Sequence, residues 1–490
     1  MTSVSFDEYV AYARLHFEEG LIRAGFHEVE AGWEGPVPHL AGTTRVVIDL
    51  PPRFPFRPPR VVPVDHDVVP WSWHRDSDGA LCLVAEEDHD GLWWMEAPAF
   101  LEHVTAWFEH ADTGWTDDRP DLDLDRYFHQ SADRRLYLYD DLGQYLNHRS
   151  VRFSPASNNT MRIRHGIRPR KALKHSKDRF GFVADLGEVD VPPRTWADIC
   201  ARLGSNADLE RRIHQQSVAV VVLVYRRGTH EGALVLDVTP TKEGGTAVTR
   251  LRSGADTEAA RSARAGVLAT ELCESKVAVV GVGALGSFIA DMLVRSGVRH
   301  LTLIDDDVVM PGNLVRHLVG PDAVGLPKAE AVKRHLVRHN EAPAAGIDTI
   351  NSALTSGADA VDHLRNHDLV VNTTADFATT ALLHVSALTL GTRVLSAALQ
   401  NDGRTYRIDV LPPIDAAAPL PPSTTRAGTE APQLFEAGCG SPISPTPPHA
   451  VIEAAAATVR HAVGLLVDRP LHPAGETRHL HSAPQGSHHQ

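Results

Sequence analysis

Cysteine is scarce in this chain: four occur in 490 residues, Cys82, Cys200, Cys273 and Cys439. No two form a C-x-x-C pair, which argues against a disulfide framework and against structural zinc. The usage suits a reducing cytoplasm, where thiols stay available for chemistry. Long apolar runs are also missing, so no segment has the length needed to span a bilayer. The opening MTSVSFDEYVAYARL is polar and acidic, unlike a secretory signal. Positive charge is in deficit, 48 Lys and Arg against 62 Asp and Glu, a net charge of −14. Neither a membrane nor a nucleic acid is therefore an expected partner. With 43% hydrophobic and 22% charged residues, the chain reads as ordinary globular material, long enough for two to four domains.

The stretch that organises the rest is 277–307, VAVVGVGALGSFIADMLVRSGVRHLTLIDDD. A short β-branched run predicts a buried strand, Gly281, Gly283 and Gly286 form G-x-G-x-x-G, and 287–296 has helical period. A second strand, 300–304, ends on three aspartates. This is one βαβ unit with a nucleotide fingerprint: the glycines permit a tight turn, let backbone amides approach phosphate and bring helix close to strand. Asp305 lies about twenty residues on, where a carboxylate accepts from ribose hydroxyls. Alone, the fingerprint serves a dinucleotide or ATP equally. Asp307, Asn313, Arg316 and Lys328 follow, and a strand at 370–378 (VVNTTADFA) ends near Asp376. A dehydrogenase has no use for an Arg and a Lys just past its ribose-binding acid. An enzyme that cleaves ATP between the α- and β-phosphates does, because cations neutralise the departing pyrophosphate. Asp376, at the carboxyl end of a parallel strand, is placed to hold Mg²⁺.

These residues resemble the adenylating domain shared by ubiquitin-activating enzymes and the bacterial ThiF, MoeB and HesA proteins, over roughly 265–465. The resemblance implies ATP and Mg²⁺ as cofactors. It places Asp305 on the ribose, Asn313 and Arg316 on the phosphates, Lys328 at the β/γ end and Asp376 on the metal. The chemistry it implies is attack by a protein C-terminal carboxylate on the α-phosphate, and the symmetric assembly usual in that fold implies a homodimer.

The first third reads differently. A helix is predicted over 6–17 and a strand over 43–50. The proline run 51–59, PPRFPFRPP, cannot donate ladder hydrogen bonds and predicts an extended crossing outside the sheet, with pairing resumed at 61–64. A helix is expected over about 99–110. Phe54, Pro55, Phe56, Pro58 and Pro59, then His74, then Gly79, Leu81, Cys82 and Leu83, then Trp94 and Pro98, together resemble the ubiquitin-conjugating enzyme fold. By that resemblance Cys82 carries a ubiquitin-like protein as a thioester, a form that keeps an acyl group reactive toward amines. One departure stands out: where the family shows His-Pro-Asn, this chain has His74, Arg75 and Asp76. An ionised Asp76 repels a developing oxyanion, so its expected work is instead to orient or deprotonate an incoming amine.

No family resemblance covers 150–265. A firm buried strand is predicted at 217–225 (SVAVVVLVY), with a hairpin partner at 232–238, and the basic stretch 162–177 reads as a solvated or inter-domain face, with a binding patch for an acidic partner as the alternative. Arg252, Arg261 and Arg264 are candidates for an arginine reaching a partner subunit's ATP site, as the adenylating family implies, or for an ordinary solvated helix face. Farther on, 412–448 is too rich in Pro, Thr and Ala for a packed element. Inside it lies Gly438-Cys439-Gly440, and its neighbours leave the thiol unhindered. Cys439 resembles the catalytic cysteine of ubiquitin-activating enzymes. Cys200 and Cys273 are expected to be structural.

The expected fold class is α/β: a Rossmann-like adenylating domain with a doubly wound, mostly parallel sheet, preceded by an α+β conjugating-like domain. The expected division is 1–149 conjugating-like, 150–265 connecting, 266–468 adenylating with its catalytic loop at 412–448, and 469–490 a disordered His-rich tail. This order resembles the fused activating and conjugating proteins of bacterial antiphage operons (CBASS) built around cGAS-like nucleotidyltransferases. That resemblance implies a relay from acyl-adenylate to Cys439, to Cys82, and to a target amine. The expected partners are a protein with a free C-terminus, either the nucleotidyltransferase or a ubiquitin-like protein, and an acceptor amine. The alternative is a ThiF-type activator of a sulfur carrier, which leaves 54–83 unexplained.

Overall fold

In the computed structural model, the structure describes residues 5–84, 91–115, 122–146, 150–165, 177–204, 207–340, 344–423 and 444–480. The chain forms two compact units, 1–257 and 258–490.

The first unit opens with the helix Phe6–Arg23, fixed at its start by a capping box in which Ser5 and Glu8 each bond the other's backbone amide. Four antiparallel strands follow in chain order: β1 (His27–Val29), β2 (Gly32–His39), β3 (Gly42–Asp49) and β4 (Arg60–Pro63). The proline run lies outside the sheet between β3 and β4, and its Pro55 carbonyl accepts from the indole of Trp94 at 2.7 Å. The helix Ala97–Thr113, entered through Pro98, closes the layer. Phe17, Ile48, Phe54, Phe100, Val104 and Phe108 form its core, all essentially inaccessible.

The same unit holds a mixed eight-stranded sheet. Its members are β5 (Leu136–Tyr139), β6 (Val151–Pro155), β7 (Thr160–His165), β8 (Arg179–Glu188), β9 (Val220–Arg227), β10 (His230–Pro240), β11 (Thr246–Arg250) and β12 (Ser253–Ala255). Their order is β11-β10-β9-β8-β6-β7-β5-β12. The buried run VVVLVY lies in β9, which pairs antiparallel with β10 through a turn at Gly228. A position 149/150 boundary falls inside this sheet, because β5 pairs with β7 and β12.

The second unit is a seven-stranded sheet of β13 (Lys276–Val280), β14 (His300–Ile304), β15 (Ile347–Ile350), β16 (Leu369–Asn372), β17 (Val394–Gln400), β18 (Thr405–Leu411) and β19 (Gly475–His479). The order is β15-β14-β13-β16-β17-β18-β19, parallel through β17 and antiparallel after it. The stretch expected as a disordered tail thus supplies the edge strand, Gly475–His479, whose register opposite Thr405–Asp409 depends on pairing that a local reading does not show. Successive residues of a strand point to opposite faces, and β13 uses both. Val277 and Val279 pack with the helices Ala284–Arg295, Lys328–His339 and Pro448–Leu466, while Ala278 and Val280 pack with Gly357–Asn366 and Phe377–Leu390. This is the doubly wound α/β sheet expected from the sequence, and such sheets bind ligands at the carboxyl ends of their parallel strands. Among the described residues, no helix is long and apolar enough to cross a membrane.

Candidate adenylating and thiol sites

At the carboxyl end of β13 the three glycines do three jobs. Gly281 has a φ of +83°, and a Cβ there would meet the amide of Thr374 at 2.9 Å. A Cβ on Gly286 would fall 1.9 Å from the Gly281 carbonyl oxygen, so helix and loop pack too closely for any side chain. A Cβ on Gly283 would meet nothing within 4 Å. It is the N-cap residue of the Ala284–Arg295 helix, which has no side-chain cap. An open glycine at an uncapped helix N-terminus is the cradle a phosphate needs.

Asp305, at the end of β14, closes this loop from the other side. One carboxylate oxygen accepts from the amide of Val282 at 2.5 Å and the other from the amide of Asp307 at 2.9 Å. Burial pushes its carboxyl pKa up. A carboxylate has four lone-pair sites, so two amides leave room for ribose hydroxyls. Asp307 in turn pairs with the Nζ of Lys328 at 2.7 Å, the lysine largely covered and the aspartate open. Glycine loop, Asp305, Asp307 and Lys328 thus form one continuous line of contacts.

Asn313 and Arg316, expected on phosphates, are engaged with the chain. Asn313 accepts the Met310 amide at 3.0 Å, and Arg316 donates to the carbonyls of Ser444 at 2.9 Å and Thr446 at 3.5 Å. Asp376 lies past β16, whose following residues touch the glycine loop: the Thr373 hydroxyl donates to the Gly281 carbonyl. It caps the Phe377–Leu390 helix, accepting the Thr379 amide at 2.6 Å. That bond lowers its pKa and keeps it ionised. Ala375, just before it, takes a left-handed φ of +55°. No group of three or more metal-type side chains converges among the described residues. A Mg²⁺ ion here would take Asp376 as its protein ligand and complete its shell with phosphate oxygens and water, the usual habit of that ion.

His317 is a residue the sequence reading missed. It is 6% exposed, its Nδ1 accepts the Val319 amide at 3.3 Å, and its Nε2 lies 2.9 Å from the Val282 carbonyl. The first contact requires a bare Nδ1, so Nε2 carries the proton and the ring is neutral. Burial pushes its pKa down to about 4. Its only sequence signal is its position directly after Arg316.

In the first unit, Cys82 is half-buried, and its Sγ lies 3.5 Å from Oδ1 of Asp76. Its amide donates to the His74 carbonyl at 2.9 Å, while Arg75 and Leu81 form a bridge between the two arms of the turn. The turn is held from inside by Arg75, 2% exposed, which donates to the carbonyls of His66 and Val69 at 2.9 Å and of Gly79 at 3.0 Å. Gly79 sits at φ +88°, and a Cβ there would press on the His66 ring at 2.6 Å. The Nε2 of His103 lies 2.6 Å from the Leu83 carbonyl.

Cys439, and most of the basic stretch 162–177, lie outside the described residues. The Cys200 thiol is pushed up to about 11, first by burial and then by Glu210. Cys273 contacts the Thr270 carbonyl at 3.1 Å. Arg252, Arg261 and Arg264 are all solvent-exposed.

Residues 261–466 match the ThiF family. Over 112 residues the chain is 35% identical to the ATP-dependent ubiquitin transferase-like protein Cap2 of Enterobacter hormaechei, covering 23% of this chain and 18% of that protein. Over 135 residues it is 35% identical to the molybdopterin-synthase adenylyltransferase of Escherichia coli, covering 27% of this chain and 53% of that protein. An uncharacterized protein of Sinorhizobium fredii, y4oA, is 41% identical over 98 residues, 20% of this chain and 16% of its own length. The chain therefore spans from about a sixth to about half of these curated relatives. Among solved structures, the crystal structure of E. coli MccB with ATP aligns at 18% identity with a TM-score of 0.33, covering 45% of this chain and 68% of that one, a loose likeness. With the glycine loop, Asp305 and Lys328 in one βαβ frame, residues 261–466 form a ThiF-family domain.

Proposed function

We propose that this chain uses ATP to activate the C-terminal carboxylate of a protein and hands it, as a thioester, to an amine. The observation that carries this reading is the unbroken line from the glycine loop through Asp305 and Asp307 to Lys328, which puts a phosphate cradle, a ribose acceptor and a cation on one strand-end rim. The similarity to molybdopterin-synthase adenylyltransferase and to the protein named ATP-dependent ubiquitin transferase-like Cap2 supports it.

In the first step a carboxylate oxygen attacks the α-phosphorus and pyrophosphate leaves, its charge met by Lys328 and the first turn of the Ala284–Arg295 helix. Asp376 would hold a Mg²⁺ ion, which would supply further charge neutralisation there. The Cys439 thiolate then attacks the acyl carbon and expels AMP, and the Cys82 thiolate displaces Cys439. Finally an amine attacks the Cys82 thioester, the C–S bond breaks, and the amine's proton passes to the Asp76 carboxylate beside the sulfur. The donor protein is a cGAS-like nucleotidyltransferase of an antiphage operon or a ubiquitin-like protein, and the working form is a homodimer in the cytoplasm.

The test is incubation with ATP, Mg²⁺ and each protein encoded beside this gene. A DTT-sensitive adduct is expected, lost in Cys439→Ala and trapped on Cys439 in Cys82→Ala. Loss of the first adduct in Cys82→Ala overturns the order. A second reading, activation of a sulfur carrier, is favoured by the match over 53% of the molybdopterin enzyme; it predicts a sulfide-dependent thiocarboxylate product that forms equally well in Cys82→Ala.

A further inference from the structure

The eight-stranded sheet has no part in the relay above, yet the segments packed on it, 124–127 before β5 and 189–194 after β8, together with Arg227 at the end of β9, grip the loop that leads to Cys82. The indole N–H of Trp71 donates to the Pro192 carbonyl at 2.9 Å, and that of Trp73 to the Val189 carbonyl at 3.1 Å. The Arg194 guanidinium stands 4.3 Å from the Trp71 ring centre and that of Arg227 4.7 Å from Trp73. Trp73 is 3% exposed and belongs to the core of the larger sheet, with Val189 and Tyr225, rather than to the core around Phe54. Its carbonyl is held as well: Nη2 of Arg126 and the hydroxyl of Tyr127, at 3.3 Å, both donate to it. One residue on, the His74 carbonyl takes the Cys82 amide, and two residues beyond that Asp76 faces the sulfur at 3.5 Å.

We infer that the eight-stranded sheet, through the segments 124–127 and 189–194 packed on it, is the device that positions the transfer thiol: by fixing the Trp73 carbonyl and both indoles these segments set the Asp76 carboxylate against Cys82, with Arg126 and Tyr127 as positioning residues. This rests on Cys82 being the transfer thiol. A loop fixed in advance does not have to be ordered during the reaction, so its conformational entropy is not lost at that point. A proton acceptor displaced by about 1 Å loses on the order of a hundredfold in rate. The arrangement also explains why a conjugating-type cysteine shares a folding unit with a sheet that has no chemistry of its own.

The experiment uses the full chain with Cys200, Cys273 and Cys439 changed to Ser, so that iodoacetamide reports on Cys82 alone. In the free thiol a neighbouring carboxylate disfavours the thiolate and slows alkylation. Asp76→Asn is expected to raise the labelling rate at pH 7 about three- to tenfold, because the repulsion between carboxylate and thiolate is removed. Arg126→Gln is expected to do the same through displacement of the loop, the double variant to go no further than either single one, and Arg126→Lys to stay near the parent. If Arg126→Gln does not fold, Trp73→Phe, which keeps an aromatic ring and deletes the N–H to Val189, is expected to raise labelling in the same direction. An unchanged rate in Arg126→Gln and Trp73→Phe beside a raised rate in Asp76→Asn overturns the inference, as does an unchanged rate in Asp76→Asn. Failure of the transfer reading looks different: the labelling pattern appears as expected, but in the chain that retains Cys439 no ATP-dependent, DTT-sensitive adduct ever forms on Cys82.

Discussion

The Nε2 of His317 lies 2.9 Å from the carbonyl oxygen of Val282, the residue between the first two glycines of the phosphate loop. A neutral imidazole thus holds the loop from beneath, and its pKa of about 4 lies below the ordinary value of 6.5. The unfolded chain binds the proton more readily, so stability rises with pH between about 4 and 6.5 and falls as the solution is acidified through that window. Full protonation costs up to roughly 3 kcal/mol. Thermal melts of the parent at pH 5 and pH 7 should differ, and His317→Gln should flatten that slope. An equal slope in both proteins would show that the histidine is not the titrating group.

Gly283 and Gly286 should separate binding from folding. Gly283→Ala meets open space, so its melting temperature should stay within a few degrees of the parent while ATP binding weakens severely. Gly286→Ala drives a methyl into the Gly281 carbonyl and should melt far earlier, by the several kcal/mol typical of overpacking against backbone. Calorimetric titration with ATP and a melt on each variant check both halves.

Lys328→Met should lower the rate of ATP–pyrophosphate exchange by about a hundredfold, the loss usual when one charge-stabilising donor is removed. Asp307→Asn, which frees the lysine from its partner at 2.7 Å, should cost less, since the cation remains. Equal losses would mean that the aspartate itself touches the reacting groups.

Arg75 is buried with three carbonyl groups as its partners and no carboxylate among them. Arg75→Met fills the space and leaves those carbonyls unsatisfied, at roughly 1–3 kcal/mol each where water cannot reach them. The loop 66–82 should become the first site of limited proteolysis. A parent-like cleavage pattern would show that water replaces the guanidinium without cost.

How much of this was legible beforehand follows from the range of the forces involved. The βαβ unit and its three glycines announce themselves because period and turn chemistry are local. The proline run 51–59 likewise had to leave the sheet, and it does. Of the eight-stranded sheet only the hairpin of β9 and β10 was legible: β5 pairs with β12 across more than a hundred residues, and no local pattern encodes such a partner. His317 was missed because its role depends on a carbonyl 35 residues away. Asn313 and Arg316 were recognisable as types, but the backbone groups they bond lie in the fold rather than in the motif.

The grip of Arg316 on the carbonyl of Ser444 has a geometric corollary. Five peptide links separate Ser444 from position 439, and an extended chain advances at most about 3.4 Å per link. While the arginine holds, covalent geometry alone bounds the backbone distance from that anchor to Cys439 at roughly 17 Å. In the proposed relay, the acceptor thiol therefore has to come within reach of that radius, or the arginine has to let go first.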